Sequence, residues 1–207
     1  MRRLKLSPLQ DCEGDNVSVT NIGSKTTVAD TKENKDIIKK VREKYRELTN
    51  ILIKKGITIS TMESITSGLV ASLITDTEGA SAVLKEAFIT YSNEAKIREG
   101  VSAGVIRKYS VYSEQTAASM ARACQTKTAS DICIGITGTA GNIDPSNEGA
   151  SVPGTVYFCI YFYDSTDNRY HYAPERIVVP PQPTRLMYKI IVAEHVCDAL
   201  MAIIDHM

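Results

Sequence analysis

The chain has 207 residues, of which 43% are hydrophobic and 23% charged, and its formal net charge is zero. This composition is typical of one compact globular domain. A surface that binds duplex DNA usually carries a basic excess, so the charge balance argues against nucleic acid as a partner. It does not exclude a local phosphate site, because backbone N–H groups alone can hold an anion.

The cysteines and the apolar runs bear on the cellular compartment. The five cysteines are odd in number and none stands at Cys-x-x-Cys spacing, which argues against a disulfide framework or a zinc site. Cys133, Cys159 and Cys197 lie in apolar runs, where a reduced cysteine packs as a small hydrophobe. No apolar segment follows Met1, and no run approaches the ~18 residues that a membrane span needs. We therefore expect a cytoplasmic protein that does not bind a membrane.

The first 34 residues differ in character from the remainder. Residues 1–34 are polar with few bulky apolar side chains, so we interpret them as an extension and 35–207 as the folded domain. Alternating residues on either side of Gly23 predict a weak hairpin within the extension. These residues are Val17, Val19, Thr26 and Val28.

From Lys35 onward, helical and strand patterns alternate. Apolar residues at steps of three and four predict a first helix that Gly56 ends. Further helices are predicted at 67–75, at 113–124 with Ser113 as N-cap, and after Pro183. Strands are predicted at 57–62, 87–91 and 132–137, followed by a hairpin of 155–163 and 170–179. This order predicts an α/β domain with a mostly parallel sheet and one antiparallel hairpin.

Ser64 lies where the first predicted strand turns into a helix. The N–H groups and the dipole at the start of a helix suit a developing oxyanion, as in the nucleophile elbow of hydrolases. The segment is not a G-x-S-x-G sequence, however. On position alone, a role for Ser64 or Thr66 as a helix cap is the stronger interpretation.

Lys96 follows the end of the second predicted strand. Loops beyond the carboxyl ends of strands in α/β sheets gather into one crevice, so Lys96 can meet Ser64 there. A serine nucleophile needs a base, and lysine can serve when burial or a nearby positive potential lowers its pKa. Taken alone, Lys96 is better interpreted as an ordinary surface lysine.

A third polar loop, Thr137–Gly141, also follows a strand. Its two glycines and two threonines leave backbone N–H groups and hydroxyls free to surround an anion such as a phosphate. One glycine-rich turn is weak evidence, because glycine is common in tight turns. Three such loops at three strand ends are more informative than any one of them.

Six short sequence motifs follow one another at characteristic intervals along the chain. They are Glu63-Ser64-x-Thr66-x-Gly68, Gly79-Ala80-Ser81, Tyr91-Ser92-Asn93-x-x-Lys96, Ser113-Glu114, Thr137-Gly138-x-Ala140-Gly141 and Gly154-Thr155-Val156. With them the chain resembles, over residues 35–207, the C-terminal domain of the CinA (competence/damage-inducible) family. The resemblance implies a three-layer α/β/α sandwich with a mixed, mostly parallel sheet of about five strands. Longer relatives carry another N-terminal domain, whereas this chain resembles the stand-alone form.

The family includes nicotinamide-nucleotide amidases, so the resemblance implies a reaction. The carboxamide of nicotinamide mononucleotide would be hydrolysed to nicotinic acid mononucleotide and ammonia. Ser64 would be the nucleophile, Lys96 its base and later its acid, and Tyr91 would orient Lys96 or the substrate. The implied substrate-binding residues are Ile65, Thr66, Ser67, Gly68, Ser81, Asn93, Thr137, Gly138, Thr139, Gly141 and Arg185. Among them, the backbone near 65–67 would hold the oxyanion, and Ser81 with the 137–141 loop would contact the ribose phosphate.

The resemblance requires no cofactor and no metal. His171, His195 and His206 are scattered along the sequence, which offers no metal cluster. Because family members are commonly oligomeric, we also expect a homo-oligomer.

Departures from the family pattern keep alternatives open. Ile65 and Ser67 stand where the family usually has cysteine and glycine, and the loop 139–153 also differs. If residue 67 needs a positive φ, a serine there is unfavourable. One alternative is therefore a catalytically inactive member that acts as an interaction protein in competence or the DNA-damage response. Another is an amidase for a different small amide.

Overall fold

A mixed five-stranded sheet forms the centre of the fold. The computed structural model describes residues 31–204 and Met207. The strands are β1 (Ile59–Glu63), β2 (Leu84–Ile89), β3 (Ile132–Gly138), β4 (Thr155–Asp164) and β5 (Arg169–Val178), in the order β2-β1-β3-β4-β5. β1 pairs in parallel with β2 and β3, whereas β4 pairs antiparallel with both β3 and β5. The predicted mixed sheet with one antiparallel hairpin is confirmed.

Helices cover both faces of the sheet. They are α1 (Lys32–Lys55), α2 (Leu69–Thr75), α3 (Asn93–Arg98), α4 (Ala103–Tyr109), α5 (Glu114–Thr128) and α6 (Arg185–Ile204). The main hydrophobic cluster joins α1, α2 and α6 to one face, and two smaller clusters join α5 to the other. This is the predicted three-layer α/β/α sandwich. Among the residues that the structure describes, no helix combines the length and apolarity needed to cross a bilayer.

Strand β3 is buried on both faces, as its continuous apolar sequence predicts. Ile134 and Ile136 pack in the cluster with α1 and α6, and Cys133 packs against α5. At Gly135 the backbone of α5 lies directly against the strand, since an added Cβ would be 2.2 Å from the Ala117 carbonyl oxygen. The close contact between this helix and the sheet therefore requires glycine.

Replacing Gly135 with alanine is expected to destabilise the protein by about 3 kcal/mol, because α5 must move away from the sheet. The free energy of unfolding in urea measures this loss. Gly149→Ala is the matched control, since an added Cβ there meets nothing within 4 Å. Equal stability of the two variants would contradict the packing described.

The observed elements differ from the predicted ones in three places. α1 begins at Lys32, earlier than predicted, because the Thr31 side chain accepts a hydrogen bond from the Asn34 N–H. β2 lies at 84–89, so that Tyr91 falls beyond the strand. α3 and α4 were not predicted, because α4 buries no residue and Lys96 is the one buried residue of α3. The predicted hairpin at 17–28 lies outside the described residues, and the extension itself stays a prediction.

Candidate active site

A pocket of about 610 Å³ opens at the carboxyl ends of the parallel strands. Ser64 follows β1 and Gly138 ends β3, so both reach the pocket from neighbouring strands. Lys96 reaches it from α3, and Asp144 from the loop after β3. The pocket therefore lies at the edge of the sheet that the strand-end polar residues predicted.

Lys96 and Ser64 contact each other inside this pocket. Lys96 Nζ donates hydrogen bonds to Ser64 Oγ at 3.1 Å and to the Thr90 carbonyl oxygen at 2.7 Å. Only 1% of Lys96 and 6% of Ser64 are exposed. The salt bridges of the described residues do not include Lys96. Lys96 is thus not a surface lysine, and it is held on the serine hydroxyl by a backbone carbonyl.

The environment of Lys96 favours its neutral form. Burial lowers the pKa of Lys96 to about 8, while the charge of Asp144 acts in the opposite direction. A far larger fraction of Lys96 than of an ordinary lysine is therefore neutral near physiological pH. A neutral amine in contact with a serine hydroxyl can act as its general base.

Glu63, rather than Ser64 or Thr66, caps the helix that follows β1. The fully buried Glu63 carboxylate accepts hydrogen bonds from the N–H groups of Gly68, Val70 and Ala71, at 2.9, 3.2 and 3.0 Å. The alternative in which Ser64 serves as a cap does not hold. Its hydroxyl is instead available to Lys96.

Two backbone N–H groups next to Ser64 have no acceptor within the described part of the chain. The Ser67 N–H donates to the Ser64 carbonyl and the Leu69 N–H to the Thr66 carbonyl, while Gly68 and Val70 donate to the Glu63 carboxylate. The N–H groups of Ile65 and Thr66 make no hydrogen bond to the described residues. Free N–H groups beside a nucleophile are the usual components of an oxyanion hole.

Ser67 has the positive φ that the sequence predicts to be unfavourable for a serine. Its φ is 49°, in the left-handed region where glycine is preferred. The Ser67 hydroxyl accepts a hydrogen bond from Lys189 Nζ, which ties this turn to α6. Replacement of the family's glycine is therefore accompanied by a contact that glycine cannot make.

The loop after β3 presents a second group of free N–H groups. The N–H groups of residues 140–143 have no acceptor among the described residues, whereas Thr139 N–H donates to Thr155. Ala140, Asn142 and Ile143 line the pocket. This arrangement suits an anion, at positions slightly later than the predicted 137–141 loop.

The structure brings together some of the predicted substrate-binding residues and not others. Those lining the pocket are Ile65, Asn93, Gly138, Thr139 and Arg185. Those that do not line it are Thr66, Ser67, Gly68, Ser81, Thr137 and Gly141.

Two of the residues outside the pocket have structural contacts of their own. Thr137 is buried and donates to the Val111 carbonyl, and Gly141 lies against the Tyr188 side chain.

Ser81 lies at the opposite edge of the sheet from Ser64. It precedes β2, whose amino end pairs with Ile59 at the start of β1. The prediction that Ser81 contacts the ribose phosphate is therefore wrong for this pocket. The family resemblance implied this contact, but the two ends of a strand lie at opposite edges of the sheet.

Tyr91 stands at the rim of the pocket and does not orient Lys96. Its side chain is 63% exposed, and its hydroxyl accepts a 3.3 Å hydrogen bond from Arg185 Nη2. The hydrogen bond that fixes Lys96 beside Ser64 comes instead from Lys96 Nζ to the Thr90 carbonyl oxygen. Tyr91 remains placed to contact a bound substrate.

Sequence reasoning missed a polar network on the far wall of the pocket. Tyr112 donates its hydroxyl proton to Asp144 Oδ2 at 2.6 Å, and Asn147 Nδ2 donates to the same oxygen at 2.7 Å. Asp144 Oδ1 accepts from the Ser146 N–H at 3.0 Å. The Asp-Pro pair at 144–145 is a helix-start signal that marks this turn, but nothing in the sequence places it beside Lys96.

The expectation that the histidines are all isolated needs one correction. At the β4–β5 turn, possible ligand atoms of Asp164, Asp167 and His171 lie within 4.8 Å of one another. Asp164 Oδ1 already accepts two hydrogen bonds from Thr166, and His171 pairs with Asp167. The group is explained by the turn itself. It lies beyond the Ile132 end of β3, opposite to the Gly138 end that lines the pocket.

The fold and the site define a three-layer α/β protein with a buried Ser–Lys pair at the carboxyl ends of its parallel strands. Residues 41–186 match the CinA C-terminal domain, so the chain belongs to that family, and the resemblance read from the sequence is confirmed.

Known relatives agree with this assignment. A CinA-like protein from Kosmotoga olearia is 39% identical over 145 residues, which are 63% of this chain and 34% of that protein. A CinA-like protein from Chloroherpeton thalassium is 46% identical over 92 residues, 44% of this chain and 22% of that protein. The chain thus spans a third or less of the length of these curated relatives.

Solved structures share the fold. The competence/damage inducible protein CihA from Agrobacterium tumefaciens is 25% identical, with a TM-score of 0.68 over 78% of this chain and 94% of that one. A CinA superfamily protein from Klebsiella pneumoniae, 24% identical, has a TM-score of 0.71 over 81% and 99% of the two chains. At that identity the second likeness shows the fold alone.

Proposed function

We propose that this chain hydrolyses the carboxamide of nicotinamide mononucleotide to nicotinic acid mononucleotide and ammonia, with Ser64 and Lys96 as the catalytic pair. The observation that carries the proposal is the 3.1 Å contact between Lys96 Nζ and Ser64 Oγ inside the pocket. Membership of the CinA family supports it, since the family includes amidases of this type.

The geometry supports a mechanism in two half-reactions. Neutral Lys96 takes the hydroxyl proton of Ser64, and Oγ attacks the carboxamide carbon. The free N–H group of Ile65, which lines the pocket beside Ser64, stabilises the resulting oxyanion. Protonated Lys96 then gives its proton to the amide nitrogen, the C–N bond breaks, and ammonia leaves an acyl-serine ester. A water molecule, deprotonated by Lys96, hydrolyses that ester and restores Ser64.

The Thr90 carbonyl contributes to this cycle throughout. A neutral amine has two N–H bonds and one lone pair. With one N–H donated to Thr90, the lone pair can be directed at the Ser64 hydroxyl. The same carbonyl stabilises the ammonium form after proton transfer. One acceptor thus orients the base in both protonation states.

The remainder of the pocket suits the nucleotide part of the substrate. The free N–H groups of Ala140, Asn142 and Ile143 and the guanidinium of Arg185 provide donors for a phosphate. No metal enters the proposed reaction.

Ammonia release from nicotinamide mononucleotide by the purified protein tests the proposal. Ser64→Ala is expected to lower kcat by about ten-thousandfold or more, because the nucleophile is lost. Ser72→Ala, on the exposed side of α2, is the matched control and should retain full activity. Turnover that survives Ser64→Ala would rule out the mechanism.

The same assay separates the alternatives. A folded wild-type protein that releases no ammonia from this nucleotide but hydrolyses another compound in a panel of small amides would be a different amidase. The absence of turnover across the panel would favour the interaction protein in competence or the DNA-damage response. A homo-oligomeric state and a cytoplasmic location remain predictions from the sequence.

A further inference from the structure

Asp144 places a carboxylate in the pocket that holds the Ser–Lys pair. Its hydrogen-bond donors are a tyrosine hydroxyl, an asparagine amide and a backbone N–H, all of them neutral. The salt bridges of residues 31–204 do not include Asp144. The carboxylate is therefore fixed in position while its charge has no direct ionic partner.

That charge is maintained at neutral pH. The hydrogen bond from Tyr112 lowers the pKa of Asp144, followed in effect by the bond from Asn147. The positive charge of Lys96, in the same pocket, also lowers the pKa of Asp144. In the proposed reaction, however, Lys96 must be neutral when substrate binds. The competent pocket then contains an ionised Asp144, with Glu94 and Arg185 exposed at its rim.

We propose that Asp144 is a specificity residue that selects amides attached to a positively charged ring over uncharged amides of the same shape. This inference rests on the proposed function, because a substrate carboxamide at Ser64 sets the position of the ring. In a pyridinium N-nucleotide the charged ring nitrogen is meta to the carboxamide, so the cation enters the pocket with the reacting group. Asp144 is half-buried in the pocket lining, so its attraction for the ring cation is screened less than that of a fully exposed charge.

Asp144 also affects the protonation of Lys96, which gives a second measurable effect of its charge. Its negative charge raises the pKa of Lys96, against the effect of burial. Replacing Asp144 with asparagine should therefore lower the pKa of Lys96 further and increase its neutral fraction at pH 7. This shift reports the charge of Asp144 near Lys96, and the selectivity between ligands is measured separately.

The test compares two ligands that differ in charge. One is nicotinamide mononucleotide. The other is the uncharged C-nucleotide in which a benzamide ring replaces the pyridinium. Titration calorimetry with the Ser64→Ala protein measures binding without turnover. Adding Asp144→Asn is expected to weaken binding of the cationic nucleotide by about tenfold and to leave the neutral one within about twofold.

The matched control is Glu148→Gln in the Ser64→Ala protein. Glu148 is exposed in the same loop and does not line the pocket. The substitution removes the same unit of charge, yet it should change neither affinity by more than about twofold because solvent screens it. If Asp144→Asn weakens binding of both ligands equally, or of neither, the proposal is overturned.

Ammonia release by the wild-type protein separates this inference from the proposed function. Charge-selective binding that depends on Asp144, without ammonia release, would refute the proposed reaction and retain the specificity residue. Ammonia release without charge selectivity would support the proposed reaction and refute the role of Asp144 in specificity. Failure of nicotinamide mononucleotide to bind the Ser64→Ala protein would overturn the inference.

Discussion

Replacing Lys96 with glutamine is expected to lower kcat/KM for carboxamide hydrolysis by about a thousandfold, because Ser64 loses the base that accepts its proton. Glutamine keeps a polar side chain in the pocket but offers no basic nitrogen. Steady-state ammonia release measures the effect. Lys39→Gln, an exposed change on α1, controls for loss of a lysine charge and should be silent.

The pH dependence of the wild-type protein gives an independent test of the same role. In the proposed reaction Lys96 acts in its neutral form, and burial lowers its pKa to about 8, so kcat/KM should rise with pH and level off above pH 8. Lowering the pH protonates the base and removes activity. Asp144→Asn should move the midpoint of this rise to lower pH. A profile that is flat across pH 8 would contradict the assignment of Lys96 as the base.

Replacing Glu63 with glutamine is expected to destabilise the protein by about 3 kcal/mol. The buried carboxylate accepts three N–H groups from the start of α2 and the hydroxyl of Thr61. An amide directs an NH₂ group at some of those donors, which leaves buried N–H groups without acceptors. Urea unfolding measures the loss, and Glu78→Gln, an exposed change, should lie within about 0.5 kcal/mol of wild type.

The Glu63 substitution should also affect catalysis. Because Glu63 holds the turn that carries Ser64 and the N–H groups of Ile65 and Thr66, loosening that turn is expected to reduce kcat more than it raises KM. Unchanged stability in Glu63→Gln would mean that the three hydrogen bonds contribute little. The helix after Ser64 would then depend on packing alone.

Local patterns were sufficient for the α/β class and for the edge of the sheet that holds the site. The continuous apolar run at 132–137 indicated a strand buried on both faces, and the structure shows it in the middle of the sheet. Parallel strands bring their carboxyl ends to one edge, so contact between Ser64 and Lys96 was allowed by the strand order, although only the family resemblance favoured it. Short helices with no apolar stripe, such as α4, leave no comparable signal.

What the sequence patterns by themselves determined is therefore the set of layers and the strand ends. The pair Ser64 and Lys96 was selected by the family resemblance, since each residue alone favoured a structural role. Only the tertiary structure decided which side chains join that pair. It excluded Ser81, moved Tyr91 to the rim with Arg185, and brought Asp144 to face Lys96. The physical reason is that backbone periodicity is a local property, whereas contacts between loops depend on strand register and on packing between residues far apart in the chain.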